Sequence, residues 1–196
     1  MKVGVLALQG DVPEHLAALA RLGDGTAAVP VRSPAGLAEV DALFLPGGES
    51  TTIARLLQAS GLWEPLGRRL DDGLPILATC AGLIVLARHL ERSPSGPNPP
   101  TLGRVDVTVR RNDYGSQRES FEGPVRVDGL AGADFPGVFI RAPRILGVGP
   151  GATAFAHRGP EVVGVRAGSV WGLTFHPELS GDPRLHAMFL AAARER

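Results

Sequence analysis

Short apolar runs alternate with amphipathic stretches over the first 90 residues. The apolar runs have the length and the Val, Leu, Ile and Ala content of buried strands. They are residues 2–8, 27–31, 41–45 and 74–79. The stretches between them place apolar residues every three or four positions, which predicts amphipathic helices. These helices cover residues 11–22, a segment capped by Ser50 or Thr51, residues 62–70, and a segment from Cys80 to about Leu90. Such alternation of strand and helix predicts a parallel sheet with helices on both faces.

Beyond a loop at residues 92–101, which contains four prolines, the pattern changes to short β-type runs separated by turn residues. These runs are residues 105–109, 125–127, 138–140, 152–156, 161–165 and 170–175. A final helix, capped by Asp182, is predicted over residues 183–193. We therefore expect residues 1–196 to form one α/β domain whose second half adds antiparallel strands.

The composition excludes several functional classes. Of the 196 residues, 44% are hydrophobic, and 20 basic residues balance 20 acidic ones. Basic residues are not clustered or interleaved with aromatic ones, so the sequence predicts no nucleic-acid surface. No apolar run approaches the roughly 20 residues of a membrane helix, and the N-terminus leads directly into a strand, so we expect a cytoplasmic protein that binds no membrane. No group of Cys, His and Asp has metal-ligand spacing, and we expect no metal and no cofactor.

Cys80 is the only cysteine, so an internal disulfide is impossible, which fits a reducing compartment. It lies between the apolar run 74–79 and helix-forming residues that begin with Ala81 and Gly82. This is the pattern of a strand-to-helix elbow, which lifts one side chain clear of the sheet. The positive N-terminus of the following helix would favour a thiolate. The segment alone leaves two interpretations open, a nucleophile or a small buried hydrophobic residue.

A second candidate element is a predicted strand that ends in His176, Pro177 and Glu178. Side chains two residues apart in an extended backbone project to the same side, and Pro177 stiffens that spacing. A carboxylate at this position can accept the imidazole N–H and stabilise the protonated ring, as the third member of a catalytic triad does. Alone, the segment is more typical of a surface turn with an incidental ion pair. In one parallel sheet, however, Cys80 and His176 would lie at the same C-terminal edge.

A third strand is predicted to end at that edge, in residues 46–50 (PGGES). The glycines at 47 and 48 would let the backbone approach a ligand and direct an N–H at a developing oxyanion. A simple tight turn is the alternative, and a phosphate cradle is disfavoured because no Gly-Lys-Ser/Thr follows. The N–H of Gly48 and that of Ala81, the residue after Cys80, are therefore the candidate oxyanion donors.

Together these segments resemble the class I, or triad, glutamine amidotransferases, and within them the glutaminase subunits of pyridoxal 5'-phosphate synthases. The general part of the resemblance is the elbow at 79–82 and the segment 176–178. The more specific part is residues 6–10 (LALQG), 45–52 (LPGGESTT), 111–115 (RNDYG) and 139–143 (FIRAP). The implied fold is a flavodoxin-like three-layer sandwich with a mixed, mostly parallel central sheet.

The resemblance also implies an activity, a partner and residue roles. L-Glutamine would be hydrolysed to glutamate and ammonia, and the ammonia would pass through a tunnel to a synthase subunit in a hetero-oligomer. Cys80 corresponds to the nucleophile, His176 to the general acid/base and Glu178 to the orienting carboxylate. The glutamine-binding positions are Gly48, Glu49, Ser50, Arg111, Ile140 and Arg141. Either arginine would suit the α-carboxylate of glutamine, and Glu49 would suit its α-ammonium.

Two departures from the family pattern are visible. Ala78 stands where many relatives have glycine, which predicts a slightly tighter elbow, and the proline-rich loop at 92–101 is longer than usual. Three alternatives remain open: a glutaminase for another synthase, such as that for imidazole glycerol phosphate, a stand-alone γ-glutamyl hydrolase, and a non-enzymatic relative. The other histidines, at 15, 89, 157 and 186, are interpreted as surface or packing residues. Residues 9–10 could border the site or the partner surface, or merely pack at a strand end.

Overall fold

The computed structural model describes residues 1–92, 96–111 and 120–195. Two of the expectations above lie partly outside these ranges. They concern the centre of the proline-rich loop, residues 93–95, and residues 112–115 of the segment that follows Arg111. The rest of the loop, residues 96–101, contains no helix or strand, as predicted.

The helices and strands follow one another largely as the hydrophobic pattern predicts. The helices are Val12–Ala20 (α1), Pro34–Ala38 (α2), Ser50–Ala59 (α3), Trp63–Asp71 (α4), Ala81–Leu86 (α5) and Arg184–Arg194 (α6), with a 3-10 turn at Pro177–Leu179. The strands are Lys2–Leu6 (β1), Ala27–Val31 (β2), Ala42–Leu45 (β3), Ile76–Thr79 (β4), Ala87–Leu90 (β5), Val105–Arg110 (β6), Phe121–Val127 (β7), Phe135–Phe139 (β8), Arg144–Val148 (β9), Thr153–Arg158 (β10), Glu161–Ala167 (β11) and Val170–Leu173 (β12). Among the described residues, no helix combines the length and the apolar character needed to cross a bilayer.

Most of the described strands form one sheet in the order β2-β1-β3-β4-β12-β11-β10-β7-β8. The first five are parallel, and the remaining four extend the sheet in antiparallel fashion. A smaller sheet contains β5, β6 and β9. The mixed sheet is therefore confirmed. The last strand, β12, pairs with β4, which places the segment after residue 173 beside the elbow that follows Thr79.

Alternate residues of each central strand enter different cores, because successive side chains point to opposite faces of a sheet. On β3, Leu43 and Leu45 join the core that includes Ile53 of α3 and Leu66 of α4. The neighbouring Phe44 joins the other core, with residues of α1 and α6. Helices therefore cover both faces of the parallel half, and the three-layer arrangement follows.

The helix after Cys80 is shorter than predicted, because the chain becomes extended at Ala87 instead of continuing to about Leu90. The carbonyl groups of Val85 and Leu86, which a longer helix would have used internally, accept N–H groups from Leu102 and Arg104 at 2.7 Å. Residues 87–90 then pair with β6. Pairing with a distant strand thus overrides a locally helix-forming sequence.

Other boundaries also differ from the prediction. The capping residue of α3 is Glu49, not Ser50 or Thr51, because Glu49 is extended and its carboxylate reaches back to the first N–H groups of the helix. Asp182 accepts the N–H of Arg184 at 2.9 Å, but Pro183 separates it from the start of α6. Besides β5 and the 3-10 turn, two elements, α2 and β9, were not predicted. The first had an available signal, since Ser33 precedes a proline and its hydroxyl accepts the N–H of Gly36.

Candidate active site

The parallel half of the sheet brings the C-terminal ends of β1, β3, β4 and β12 to one edge, where a cavity of about 170 Å³ lies. Its lining residues are Asp11, Gly48, Glu49, Ser50, Cys80, Ala81, Ile84, Arg111, Ile140, Arg141 and His176. All the predicted site residues line this cavity except Glu178, which is buried. Asp11 and Ile84 were not predicted.

Cys80 occupies the turn between β4 and α5 with a backbone conformation that is rare for a side-chain-bearing residue, φ 49° and ψ −107°. Its N–H bonds to the carbonyl of Leu173 at 2.8 Å, which ties the turn to the end of β12. The sulfur lies 3.9 Å from the carbonyl oxygen of Ile140. Such strain persists only where the surrounding structure enforces it, and it is concentrated at functional sites. The elbow predicted from the sequence is present.

His176 and Glu178 are hydrogen-bonded, with Nδ1 of the imidazole 2.8 Å from Oε1 of the carboxylate. The strand was predicted to continue to residue 175, but β12 ends at Leu173 and Glu178 lies in the 3-10 turn. The expected pairing is therefore present, but a turn produces it, not an extended backbone. Burial raises the pKa of Glu178, and the hydrogen bond from His176 opposes that effect.

Asp11 is a second carboxylate on the same ring nitrogen, with Oδ2 3.1 Å from Nδ1 of His176. Burial of the ring disfavours its charge, but hydrogen bonds with Asp11, Cys80 and Glu178 outweigh burial and hold the pKa of His176 well above its usual value. The imidazole is therefore protonated at neutral pH beside the sulfur of Cys80.

The turn after β3 packs directly against the imidazole. A Cβ atom on Gly47 would lie 2.4 Å from Cε1 of His176, so no side chain fits there. Gly48 has a φ of 151°, which strongly favours glycine. The carbonyl of Gly47 accepts the N–H of Asp11 at 3.4 Å, and the side-chain oxygen of Gln9 accepts the N–H of Glu49 at 2.9 Å. The segment at 9–11 therefore borders the site, and its two hydrogen bonds fix the backbone of the turn.

Glu49 and Arg111 meet at one wall of the cavity. The Glu49 carboxylate accepts the N–H groups of Thr51 and Thr52 at 3.1 and 2.7 Å, and it lies 3.3 Å from the guanidinium of Arg111. Partial burial disfavours its charge, but these hydrogen bonds prevail and lower the pKa of Glu49. Arg111 also donates to the carbonyl of Pro97 at 3.2 Å, so its buried side chain is fixed on two sides.

Arg141 also lines the cavity, directly after Ile140, and its side chain is exposed. Its φ of 44° is unusual for a residue with a side chain. The two predicted arginines thus differ: Arg111 is buried and held by protein groups, whereas Arg141 lines the cavity with an exposed side chain.

Asp11, His176 and Glu178 each place one possible ligand atom within 4.8 Å of the others. A cation there would have to displace the Nδ1 proton of His176 and both of its hydrogen bonds. The arrangement therefore favours hydrogen bonding over metal coordination.

A comparison with protein families assigns the chain, because the profile of the SNO glutamine amidotransferase family matches residues 5–195. The chain is a member of this family. Two relatives extend the match. Pyridoxal 5'-phosphate synthase subunit PdxT from Deinococcus radiodurans is 51% identical over 197 residues, which cover 100% of this chain and 99% of the relative. The protein of the same name from Streptomyces coelicolor is 50% identical over 192 residues, covering 98% and 93%.

Solved structures agree with this SNO-family assignment. One described as a glutamine amidotransferase superposes with a TM-score of 0.89 at 46% identity and covers 98% of each chain. PurLQS from Thermotoga maritima superposes with a TM-score of 0.67 at 14% identity over 97% of each chain, which shows a shared fold. The predicted family and fold are confirmed.

The sequence did not point to a group of buried side chains next to Glu178 in this SNO-family protein. His15 of α1 lies 3.5 Å from Oε2 of Glu178 and 3.3 Å from the hydroxyl of Thr79, and His186 of α6 lies 3.2 Å from its other ring nitrogen. The interpretation of His15 and His186 as surface or packing residues is therefore incomplete. A signal was available, since each occupies the buried, otherwise apolar face of its helix.

Proposed function

We propose that the chain is the glutaminase subunit of a pyridoxal 5'-phosphate synthase. In this role it hydrolyses L-glutamine to glutamate and ammonia and supplies the ammonia to a synthase subunit. The observation that carries the proposal is the convergence of the strained Cys80 elbow and the His176–Glu178 pair on one cavity. The two PdxT proteins, about half identical over nearly their whole length, support the choice of synthase.

In the first half of the reaction, the thiolate of Cys80 attacks the side-chain amide carbon of glutamine. The resulting oxyanion accepts hydrogen bonds from the N–H groups of Gly48 and Ala81. Ala81 is the first residue of α5, where helix N–H groups have no partner within the helix. The protonated imidazole of His176 transfers its proton to the departing nitrogen, the C–N bond breaks, and ammonia leaves a thioester on Cys80.

In the second half, the now neutral His176 accepts a proton from water, and the hydroxide attacks the thioester carbon. The C–S bond breaks, which releases glutamate and restores the thiolate beside the imidazolium. Glu178 keeps the Nδ1 proton in place throughout, so the other ring nitrogen, Nε2, performs both transfers. Proton transfer of this kind is most effective when the base is held at a fixed distance, and the 2.8 Å contact with Glu178 provides that constraint.

Glutamine would bind in the cavity, whose lining includes Glu49, Arg111, Ile140 and Arg141. Because Glu49 and Arg111 already contact each other, the α-ammonium and α-carboxylate of glutamine would extend an existing pair of opposite charges. Ser50 completes this wall at the start of α3.

The ammonia would reach the synthase through a tunnel between the two subunits. We further propose that activity is low in the isolated subunit and rises when the synthase docks and reorients the turn at Gly47 and Gly48. A Gly-Gly peptide can rotate with little steric penalty, and uncoupled hydrolysis would waste glutamine.

The test is ammonia release from glutamine, measured with and without the pyridoxal phosphate synthase subunit. Replacement of Cys80 by Ala should lower the rate by about 10⁴-fold or more while circular dichroism stays unchanged, because the covalent step is lost. Substantial activity in C80A would contradict the mechanism. Equal turnover with and without synthase would contradict the activation, and stimulation by an imidazole glycerol phosphate synthase subunit instead would contradict the choice of partner.

A further inference from the structure

The carboxylate of Glu178 has two oxygens in different surroundings. Oε1 bonds to His176 at 2.8 Å. Oε2 is buried, makes no hydrogen bond of good geometry within the described part of the chain, and faces Nε2 of His15 at 3.5 Å. A buried carboxylate oxygen without a donor is costly, so the identity of the group that faces it matters.

His15 is completely buried, and three neighbours surround its ring nitrogens. Nδ1 lies 3.2 Å from Nε2 of His186, while Nε2 lies 3.3 Å from the hydroxyl of Thr79 as well as close to Glu178. Burial, with added repulsion from His186 and His176, lowers the pKa of His15 well below its usual value. The ring is therefore neutral at pH 7, with a proton on one nitrogen only.

The position of that proton follows from both ends of the contact chain. If Nε2 of His15 lacked the proton, its lone pair would face a carboxylate oxygen of Glu178, which also only accepts. If Nδ1 of His15 carried the proton, Nε2 of His186 would have to accept it, and His186 would keep its own proton on Nδ1. That atom is buried and makes no hydrogen bond among the described residues. A buried N–H without a partner is costly, so Glu178 and His186 independently select the same tautomer.

We propose that His15 is a positioning residue for the triad: its Nε2–H, fixed by the hydrogen bond that Nδ1 accepts from His186, holds Oε2 of Glu178 and thereby aims Oε1 at His176. Thr79, which precedes Cys80, shares the same Nε2–H. The chain of contacts then runs from α6 through α1 to the 3-10 turn and reaches the imidazole at the cavity.

This inference rests on the proposed glutaminase function, and its consequence is a pH effect. The groups that face the network are His186 and His15 from the two helices, Glu178 and His176 from the 3-10 turn and the residue before it, and Asp11 from the start of α1. Arg21, after α1, also acts on His186, and Cys80 acts on His176. Loss of the His15 donor destabilises the charged form of Glu178. The carboxylate would then take up a proton at a higher pH, and His176 would lose its partner there.

The test compares H15L with H15Q in the complete synthase complex. H15L keeps the bulk without the donor, so kcat should fall about tenfold with KM nearly unchanged, and the acid limb of the kcat profile should move up by about one pH unit. H15Q can again place an N–H near Oε2 and should recover much of both effects. A uniform loss at every pH, or equal behaviour of the two variants, would show that His15 acts by packing alone.

The matched control is L19A, which creates a cavity in the same buried face of α1 without touching the network. It should lower the melting temperature as much as H15L does but leave the acid limb in place. If L19A moves the limb as well, the pH effect reports general loosening and the proposal fails.

Nitrogen-15 NMR of histidine-labelled wild-type protein tests the geometry without activity. The expected signal for His15 is a neutral ring protonated at Nε2 from pH 7 down to pH 5. A ring protonated at Nδ1, or one that titrates near pH 6.5, would overturn the proposal even in an active enzyme. Conversely, an inactive wild-type complex with the expected His15 signal would overturn the proposed function and leave the hydrogen-bond geometry standing.

Discussion

The carboxylate of Glu178 lies between two regions that each bury histidine. On the cavity side, His176 contacts two carboxylates and the sulfur of Cys80, and its pKa is raised. On the core side, His15 and His186 contact each other, and their pKa values are lowered. Burial alone disfavours the charged imidazole in both regions. The difference therefore comes from the neighbours. On the cavity side, two carboxylates accept from one nitrogen of His176. On the core side, the rings of His15 and His186 mainly face each other.

The contrast teaches that one carboxylate can support a charged and a neutral histidine at the same time. The charged ring uses Oε1 at 2.8 Å, and the neutral ring approaches Oε2 only to 3.5 Å. A short contact is typical of charge-assisted hydrogen bonds, whereas a longer one suits a neutral donor. Each substitution described below changes one part of this arrangement.

The largest effect is expected from E178Q, which removes the charge that both regions share. An amide can offer its oxygen to only one of the two histidines, so either His176 must lose its Nδ1 proton or His15 must move its proton from Nε2 to Nδ1. By analogy with other triads in which an amide replaces the orienting carboxylate, we expect kcat to fall about 10⁴-fold with the fold intact. Steady-state ammonia release and the histidine nitrogen-15 spectrum check this together. An active E178Q enzyme would show that the carboxylate does not orient His176.

A smaller effect is expected when His186 in the core region is replaced, and it concerns the pH dependence of stability. Folding lowers the pKa of His186 from 6.5 to about 4, so between these values the unfolded chain binds the additional proton. Stability is thus fully present above pH 6.5 and falls as the pH decreases toward 4. The contribution of His186 to the loss between pH 7 and pH 5 is about 2 kcal/mol.

Between pH 7 and pH 5, the free energy of unfolding of H186L should therefore decrease less than that of the wild type, by about 2 kcal/mol. Urea denaturation at both pH values measures this difference. The exposed His89 provides the matched control, since H89L should retain the wild-type pH dependence. An unchanged dependence in H186L would mean that His186 already carries a proton in the folded protein.

The smallest effect is expected from D11N on the cavity side. It removes one of the two carboxylates on Nδ1 of His176 and should lower the pKa of that ring by about one unit, because an opposite charge at this distance favours the protonated form. Titration of His176 by NMR measures the change. D24N, which removes a carboxylate paired with Arg194, should leave that titration where it is. If D11N leaves it unchanged too, Asp11 does not contribute to the charge of the ring, and Cys80 and Glu178 determine it.

The sequence predicted the cavity side better than the core side. Cys80, His176 and the turn at Gly48 each follow an apolar run, and parallel strands bring such positions to one edge of a sheet. His15 and Glu178 are 163 positions apart and meet only because α1 packs beside the 3-10 turn. Such a contact between a helix and a turn has no local pattern in the sequence.

Similar reasoning explains where the elements predicted from the sequence differ from the observed ones. The helix after Cys80 was predicted too long because Ala87 and its neighbours have no local reason to become extended; the pairing with β6 decides it. Likewise, Glu49 caps α3 because it is extended and its side chain folds back, which depends on the turn that Gln9 supports. Local propensity thus located most elements, and long-range contacts determined where several of them end.

The backbone at Cys80 has a further consequence for protein engineering. A glycine would adopt its dihedral angles freely, whereas a residue with a side chain carries a cost of about 1–3 kcal/mol there. A library randomised at this position and selected for thermal survival alone would therefore enrich glycine and lose the thiol. Thermal stability and catalytic reactivity place opposite demands on this residue. Any selection for a more stable variant must therefore measure ammonia release in every round.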